Sequence, residues 1–563
     1  MTGYWDRIAC ARTTRRRLLA GAGVAISAAG AWALVACGGS TRGGTTPTPA
    51  ATGSSQPEIV NPASPPRRGG RLVTANSATF GTWDPHLGIA VASAYFPRVY
   101  NVLLNQSATR PEFIFMDLAE SYETPDPQTY IFHIRSGVKI APNDLGVPER
   151  DLDAEDARIS LERIRTDPTT TGYSFASAHI ESLTASGSTL TVKTPGPYAW
   201  LINRIGLFTS CIAPRELLAG ALSRLNDRAA GAGPFRLISS VESEVAKLDA
   251  NPNYYRRDER NGGAQIPYVD GLEVRVVFER ATQRVAFESG QTQLYWPANL
   301  REAQTLQDVV LTHDPAFNYI SFTMNPRRPP FTDPRVRRAV SRAIDRSVYA
   351  DRVYGGDAKP DGIVSWPLGA YALTPDELTQ TYQPFDLDEA RALANRAGGI
   401  TLKMMYPANT TIQEHGDHLP IFIDQMRAAG IEVEPRPLDF GKWIDDYHAL
   451  NYDCSLALNQ IYETPELPLA FHTTGGPFGD HSYVQGIGDA EIDAAVGKAN
   501  ETLNLQERIA AVHDAQKAIY AKDPMMLPLV SPVNHFAWNK RVKDIPAGIG
   551  TSAYLVNTFW IDT

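Results

Sequence analysis

Hydrophobic and polar positions change period several times along this chain, and each change marks an element. Arg71-Leu72-Val73-Thr74-Ala75 reads as a first strand, and Thr129-Tyr130-Ile131-Phe132-His133-Ile134-Arg135 alternates apolar and polar residues as a half-buried strand does. The period then lengthens. Asp153 can cap a helix whose first turn holds Glu155 and Asp156, with Ala157, Leu161 and Ile164 on one face and Pro168 as its stop. Asp333-Pro334 predicts another helix start, with Val336, Val340, Ala343 and Ile344 as the apolar stripe and Arg335, Arg337, Arg338 and Arg342 on a solvated face. Asp386 and Glu389 open a third helix that closes at Gly398-Gly399 before the strand Ile400 to Tyr406. A helix around Leu419 to Ala429 then ends at Gly430 and leads into the alternating strand Ile431-Glu432-Val433-Glu434. Strand, helix and strand in this order predict a βαβ unit with parallel pairing, so this half reads as α/β.

One apolar stretch fits neither period. Leu18 to Ala36 carries no charge, follows Arg15-Arg16-Arg17, and ends at Leu34-Val35-Ala36-Cys37. It reads as a signal peptide over 1–36, with Cys37 as the lipidated first residue of the mature lipoprotein. A transmembrane anchor is the competing reading, because the length just permits a span. Both place the body outside the cytoplasm, at the periplasm or cell surface. The paired arginines leave twin-arginine and general export both open. Residues 37–68 are rich in Gly, Ser, Thr, Pro and Ala and read as a disordered linker that tethers the folded body to the membrane.

Composition narrows the class. Of 563 residues 43% are hydrophobic, an ordinary globular share, and the length exceeds what one core usually serves. Residues 1–36 hold five arginines and one aspartate, so their removal takes the formal charge from −9 to −13, which does not favour nucleic acid. Cys211 and Cys454 are the cysteines left in the body; a disulfide and two buried thiols are both open readings.

Several segments, in order, resemble the family 5 solute-binding proteins of peptide-type ABC importers. They are Trp83-Asp84-Pro85-His86, Leu118 to Glu123 with Tyr130 to Val138, Asp153 to Ala157, Gly231 to Phe235, Asn251 to Tyr255, and Asn325 through Phe331 to Arg346. The resemblance covers nearly the whole body. It implies an α/β, two-lobed periplasmic-binding-protein type II-like fold with an additional small domain. Residues 70–111, 205–325 and 528–563 would form a discontinuous domain I, 112–204 domain II, and 326–527 domain III. It further implies a monomer that captures a small solute between closing lobes and hands it to an ABC permease. Gly231 and Gly233 then suit a tight turn, and Pro330-Phe331 a hinge-proximal segment.

In peptide-binding relatives an aspartate in a "GW..DY..P" stretch pairs with the ligand's amine; here the matching stretch is Leu458 to Pro465, and Ile461 stands in the aspartate's place, while for Glu463 a replacement in a shifted register and an exposed loop carboxylate are both open readings. The scaffold is thus peptide-type while the ligand class stays open. Asn459, Gln460 and Tyr462 are the polar pocket candidates, and Trp83, Tyr95 and Trp296 the candidate aromatic walls. Catalysis is the rival class. The chain has no G-x-S-x-G elbow, Walker loop, H-E-x-x-H or C-x-x-C, so no catalytic residue and no cofactor is assigned. A membrane-tethered hydrolase without a recognisable motif is the alternative. His415-Gly416-Asp417-His418, with His472 or His481, reads as a polar turn rather than a metal site.

Overall fold

The computed structural model describes residues 61–63, 65–77, 79–87, 95–106, 114–220, 222–315, 318–407, 414–460, 464–476, 488–546 and 557–562. Cys37 and the whole 1–60 segment lie outside them. β1 (Arg71–Asn76) is the expected first strand, followed by the short helix α1 (Phe96–Val99). The alternation seen at 129–135 belongs to a separate antiparallel sheet of β2 (Ala119–Asp126), β3 (Thr129–Ile134), β4 (Ser182–Ser186) and β5 (Thr189–Lys193), in the order β2-β3-β5-β4. Its inward residues Tyr130, Phe132 and Ile134 are buried. α2 (Ala154–Thr166) lies against this sheet and starts as predicted: Asp153 accepts from the backbone N–H groups of Glu155 and Asp156, and Asp156 returns the bond in a capping box. Next come α3 (Tyr173–His179) and α4 (Leu201–Ile205).

The chain then enters β6 (Phe235–Val241), β7 (Val245–Ala250), β8 (Gly271–Val276) and β9 (Leu294–Tyr295), which join β1 in one sheet. Ahead of β6 the two glycines play a different part from the predicted turn. Neither has positive φ; instead a Cβ on Gly231 would stand 2.2 Å from the Val99 carbonyl oxygen, and one on Gly233 2.7 Å from that of Arg98. Close backbone approach excludes every larger residue there.

β10 (Val309–Pro315) and β11 (Asn318–Met324) run one after the other along the same neighbour, and α5 (Pro334–Ala343), α6 (Arg346–Tyr354) and β12 (Ala358–Pro360) follow. Asp333 caps α5 by accepting from Arg335 N–H. The arginine face needs correction at one position. Arg337 is buried and donates to the carbonyls of Phe331 and Asp523, both at 2.8 Å, while Arg338 pairs with Asp523 and Arg342 with Glu389.

α7 (Leu387–Arg396), β13 (Ile400–Pro407), α8 (Glu414–Ala428) and β14 (Ile431–Leu438) realise the predicted βαβ unit: β13 and β14 pair in parallel from Ile400↔Ile431 to Pro407↔Leu438. β15 (Cys454–Gln460), α9 (Glu466–Ala470), α10 (Ala490–Glu501), α11 (Leu505–Tyr520) and β16 (Met526–Asn539) complete the part that matters for the site.

Among the described residues the large sheet has twelve strands along the order β14-β13-β15-β11-β16-β9-β1-β8-β7-β6, with β10 and β12 also on β16. β16 joins its two halves. Met526 to Val530 pair with β11, and Val533 to Asn539 with β10. Phe322, Phe331, Phe422 and Leu456 form one apolar core on the β11 side, and Trp83, Phe96, Phe132 and Phe235 belong to another on the β1 side.

Candidate functional site

The two halves meet along β16, which pairs with β11 over Met526 to Val530 and with β10 over Val533 to Asn539, and most of the sequence-predicted pocket residues lie beside this crossing. β1 and β9 pair in parallel with Thr74 opposite Leu294, which brings Trp296 to the level of Asn76. Trp296 is half-buried and meets the Phe536 ring edge-on at 6.0 Å. Two residues along the same face of β16, Trp538 donates its indole N–H to Thr312 Oγ1 at 3.1 Å. Tyr95 precedes α1, and its hydroxyl sits beside Thr74 and Asn76 at the end of β1; burial pushes the phenol above its usual range. Tyr95 and Trp296 are therefore at one end of the β1 side. Asn459 and Gln460 close β15 opposite Tyr319 and Asn318 of β11, so their backbones border the same crossing from the other half. Ile461 and Tyr462 lie outside the described residues.

Trp83 sits elsewhere. It is fully buried and stacked on Phe80 at 6.2 Å, and its carbonyl accepts from the Tyr100 hydroxyl. The rest of its motif ties down the scaffold. Arg163 of α2 donates to both oxygens of Asp84 at 2.8 Å and to His86 Nδ1 at 3.2 Å, while His86 Nε2 donates to the Cys211 carbonyl at 2.9 Å. Burial holds the imidazole neutral, with its pKa lowered to about 4, and that state has the acceptor at Nδ1 that Arg163 requires.

On the opposite face of β16 from Phe536, His535 pairs with His313 through their Nδ1 atoms at 2.7 Å and with Asp357 at 3.1 Å. Lys359 of β12 lies 4.6 Å above the Trp366 ring, whose N–H reaches the Ser531 carbonyl.

The cysteine question resolves as two separate buried thiols. Burial raises the pKa of both well above the usual value, which leaves them unreactive. His418 is fully buried and stacked on Tyr349 at 5.4 Å. Among the described residues no three His, Cys, Asp or Glu side chains are grouped to hold a metal ion, and no helix is long and apolar enough to cross a membrane.

Glu466, one residue beyond the Leu458 to Pro465 stretch, carries no mark in the sequence. Glu466, nearly buried, accepts from the Tyr198 hydroxyl at 2.5 Å and from Arg204 Nε at 2.9 Å, both from the four-stranded-sheet side. No local pattern announces such a residue, because its partners lie more than 260 positions away in the chain.

This arrangement, two α/β halves joined by crossing strands with a polar and aromatic edge at the junction, is that of the type II periplasmic binding proteins. The chain belongs to the bacterial extracellular solute-binding proteins, family 5, whose profile matches residues 114–479. It is 26% identical over 455 residues to di/tripeptide-binding protein 2 of Pseudomonas aeruginosa, covering 76% of this chain and 82% of that protein. Among solved structures it resembles the periplasmic binding protein DppA of Helicobacter pylori, bound to the peptide STSA, with TM-score 0.73, 20% identity, and 88% and 99% of the two chains covered. It also resembles the periplasmic EDTA-binding protein EppA, with TM-score 0.74, 17% identity, and 90% and 98% covered. The chain is a solute-binding protein and not an enzyme, and nothing supports the hydrolase alternative.

Proposed function

We propose that this protein is a lipid-anchored receptor of an ABC importer, tethered outside the cytoplasm through Cys37, which captures a small solute between two closing lobes and presents it to the membrane permease. The lobes would be 70–111, 205–325 and 528–563 together with 112–204 on one side, and 326–527 on the other. The observation that carries this reading is the crossing itself. β16 pairs with β11 over Met526 to Val530 and with β10 over Val533 to Asn539, so one half would rotate against the other about this strand, and a solute touching both edges would stabilise only the closed arrangement.

The ligand class follows from what stands at the junction. DppA binds a peptide and EppA is named for EDTA, so this scaffold serves both amine-bearing and polycarboxylate ligands. With Ile461 in place of an amine-anchoring aspartate, a free amine is not the group this pocket holds. Tyr95, Trp296, Asn459, Gln460 and Tyr462 would supply aromatic walls and amide contacts; Trp83 would support them from the core.

A thermal-shift screen of residues 38–563 against di- and tripeptides, glutathione and aminopolycarboxylates tests the reading. A cognate solute raises the midpoint by mass action and is recovered unchanged. Turnover of that solute would overturn capture, and strong stabilisation by a simple dipeptide would overturn the role given to Ile461. Cys37→Ala should release the protein from the membrane fraction.

A further inference from the structure

Helix α5 carries more positive charge than its surroundings answer. Arg338 and Arg342 stand four residues apart on one face, a spacing at which like charges repel, and Arg337 and Ser341 run alongside them. This face, the helical turn Leu378–Tyr382 and the last turn of α11 together enclose a cavity of about 230 Å³. Lys517 lines it from α11, and Tyr382 and Tyr520, stacked 5.3 Å apart, give it an aromatic wall. Among the lining residues the four cations Arg337, Arg338, Arg342 and Lys517 stand against the single carboxylate of Asp523.

The acids nearby are already engaged. Both oxygens of Asp523 accept from Arg338 at 2.9 Å, and Glu389 accepts from Arg342 Nε at 2.7 Å. The Nη groups of Arg342 have no partner among the described residues, and Lys517 Nζ has no carboxylate nearer than Asp514 at 3.9 Å. Arg337 is buried and donates to the carbonyls of Phe331, Lys522 and Asp523 rather than to a carboxylate. Burial pulls its guanidinium below the usual range of pKa. In a chain with a net charge of −9, this concentration of cations around one small cavity favours an anion there.

The cavity is separate from the solute pocket. Asp523 and Pro524 line it just ahead of Met526, where β16 begins, whereas Trp296 packs on Phe536 ten residues farther along, roughly 30 Å of extended strand. Asn459 and Gln460 also lie at the far end. Cys454 pairs with Met324, which is bonded to Met525, while Gln460 pairs with Asn318 at the other end of β11.

We propose that this cavity is a second binding site, taking a small tetrahedral oxyanion, inorganic phosphate or a monophosphate ester, between Arg342 of α5 and Lys517 of α11. The guanidinium and the ammonium donate to the phosphate oxygens, Ser341 and Thr381 add hydroxyls, and the stacked tyrosines face the carbon chain of an ester. The site does not depend on the two-lobe reading.

Calorimetric titration of the purified full chain with inorganic phosphate and with glycerol 3-phosphate, against sodium chloride at matched ionic strength, tests it. One saturable site is expected, weakened about tenfold by Lys517→Gln and by Arg342→Gln, each of which deletes one charge-assisted contact. Lys517→Gln decides the matter should Arg342→Gln, which also breaks the Glu389 pair, fail to fold. Arg335→Gln, on the same helix but exposed and paired with Asp333, should bind phosphate as the wild type does, and so should Trp296→Ala at the solute pocket. Binding of either phosphate that Lys517→Gln weakens supports the site, and the tighter of the two names its occupant. No saturable binding of either up to about 10 mM, or binding that Lys517→Gln leaves unchanged, would overturn the proposal.

Discussion

Two knots in this molecule use the same three groups for different ends. In one, Asp84, Arg163 and His86 lock the loop after β1 onto α2; in the other, Glu466, Arg204 and His179 join α9 to the helices α3 and α4. Both pair an arginine with a nearly buried carboxylate beside a histidine whose pKa burial lowers. The difference is in what they connect. The first lies among elements of the β1-side core and also reaches Cys211, so nothing short of unfolding takes it apart. The second joins segments more than 260 residues apart in the chain, with Phe175 and Tyr198 packed into one core with Leu469 and Val496. Chemistry alone therefore does not tell the two knots apart; the length of chain between the partners does, 79 residues from Asp84 to Arg163 and 262 from Arg204 to Glu466.

The largest expected effect comes from breaking the first knot. Asp84→Asn leaves Arg163 buried without its counter-charge, which costs about 3–5 kcal/mol, and should lower the denaturant midpoint sharply while the surviving folded fraction scatters as wild type does.

Acid sharpens the comparison next. The folded pKa of His86 lies near 4, below an unfolded value near 6.5, so folding favours the neutral ring. Its contribution is present above about pH 6.5 and is lost as pH falls toward 4, at most about 3 kcal/mol for this one group. Urea midpoints measured from pH 7 to pH 4 should fall, and His86→Gln should flatten that fall even though it starts from lower stability. His179 has the same sign of shift, yet its side chain is one-third exposed, so His179→Gln should flatten it far less.

A smaller effect is expected from Tyr198→Phe. It removes one charge-assisted hydrogen bond, worth about 1.5–3 kcal/mol, and should be visible in amide exchange around Tyr198 and Arg204 before it is visible in the denaturant midpoint. Smallest of all is Arg67→Ala. Arg67 and Asp562 form an ion pair as short as those in the knots but in open solvent, and calorimetry should register no change.

Much of the frame was legible beforehand. The Asp153 and Asp333 caps, the βαβ unit from Ile400 to Leu438, and the strand at Arg71 each announce themselves by local periodicity or capping chemistry. Arg337 was misjudged for a physical reason. Its spacing puts it on a polar face, but the carbonyls of Lys522 and Asp523, nearly two hundred residues on, offered acceptors that made burial tolerable. Gly231 and Gly233 suit a tight turn by sequence, but it is the nearby backbone of Arg98 and Val99 that excludes a side chain there. The indole of Trp83 gave no sign of whether it faces a ligand or a core; a fully enclosed ring stacked on Phe80 answers for the core.

Helix caps, strand alternation and the family motifs all follow from residues near one another in the chain, because hydrogen bonding within a turn and burial of one face are local choices. The role of each knot, the fate of the cysteines and the place of Glu466 do not. They depend on which distant groups arrive at the same point, and the long closure from Tyr198 to Glu466 is paid for by the whole core rather than by any pattern around either residue.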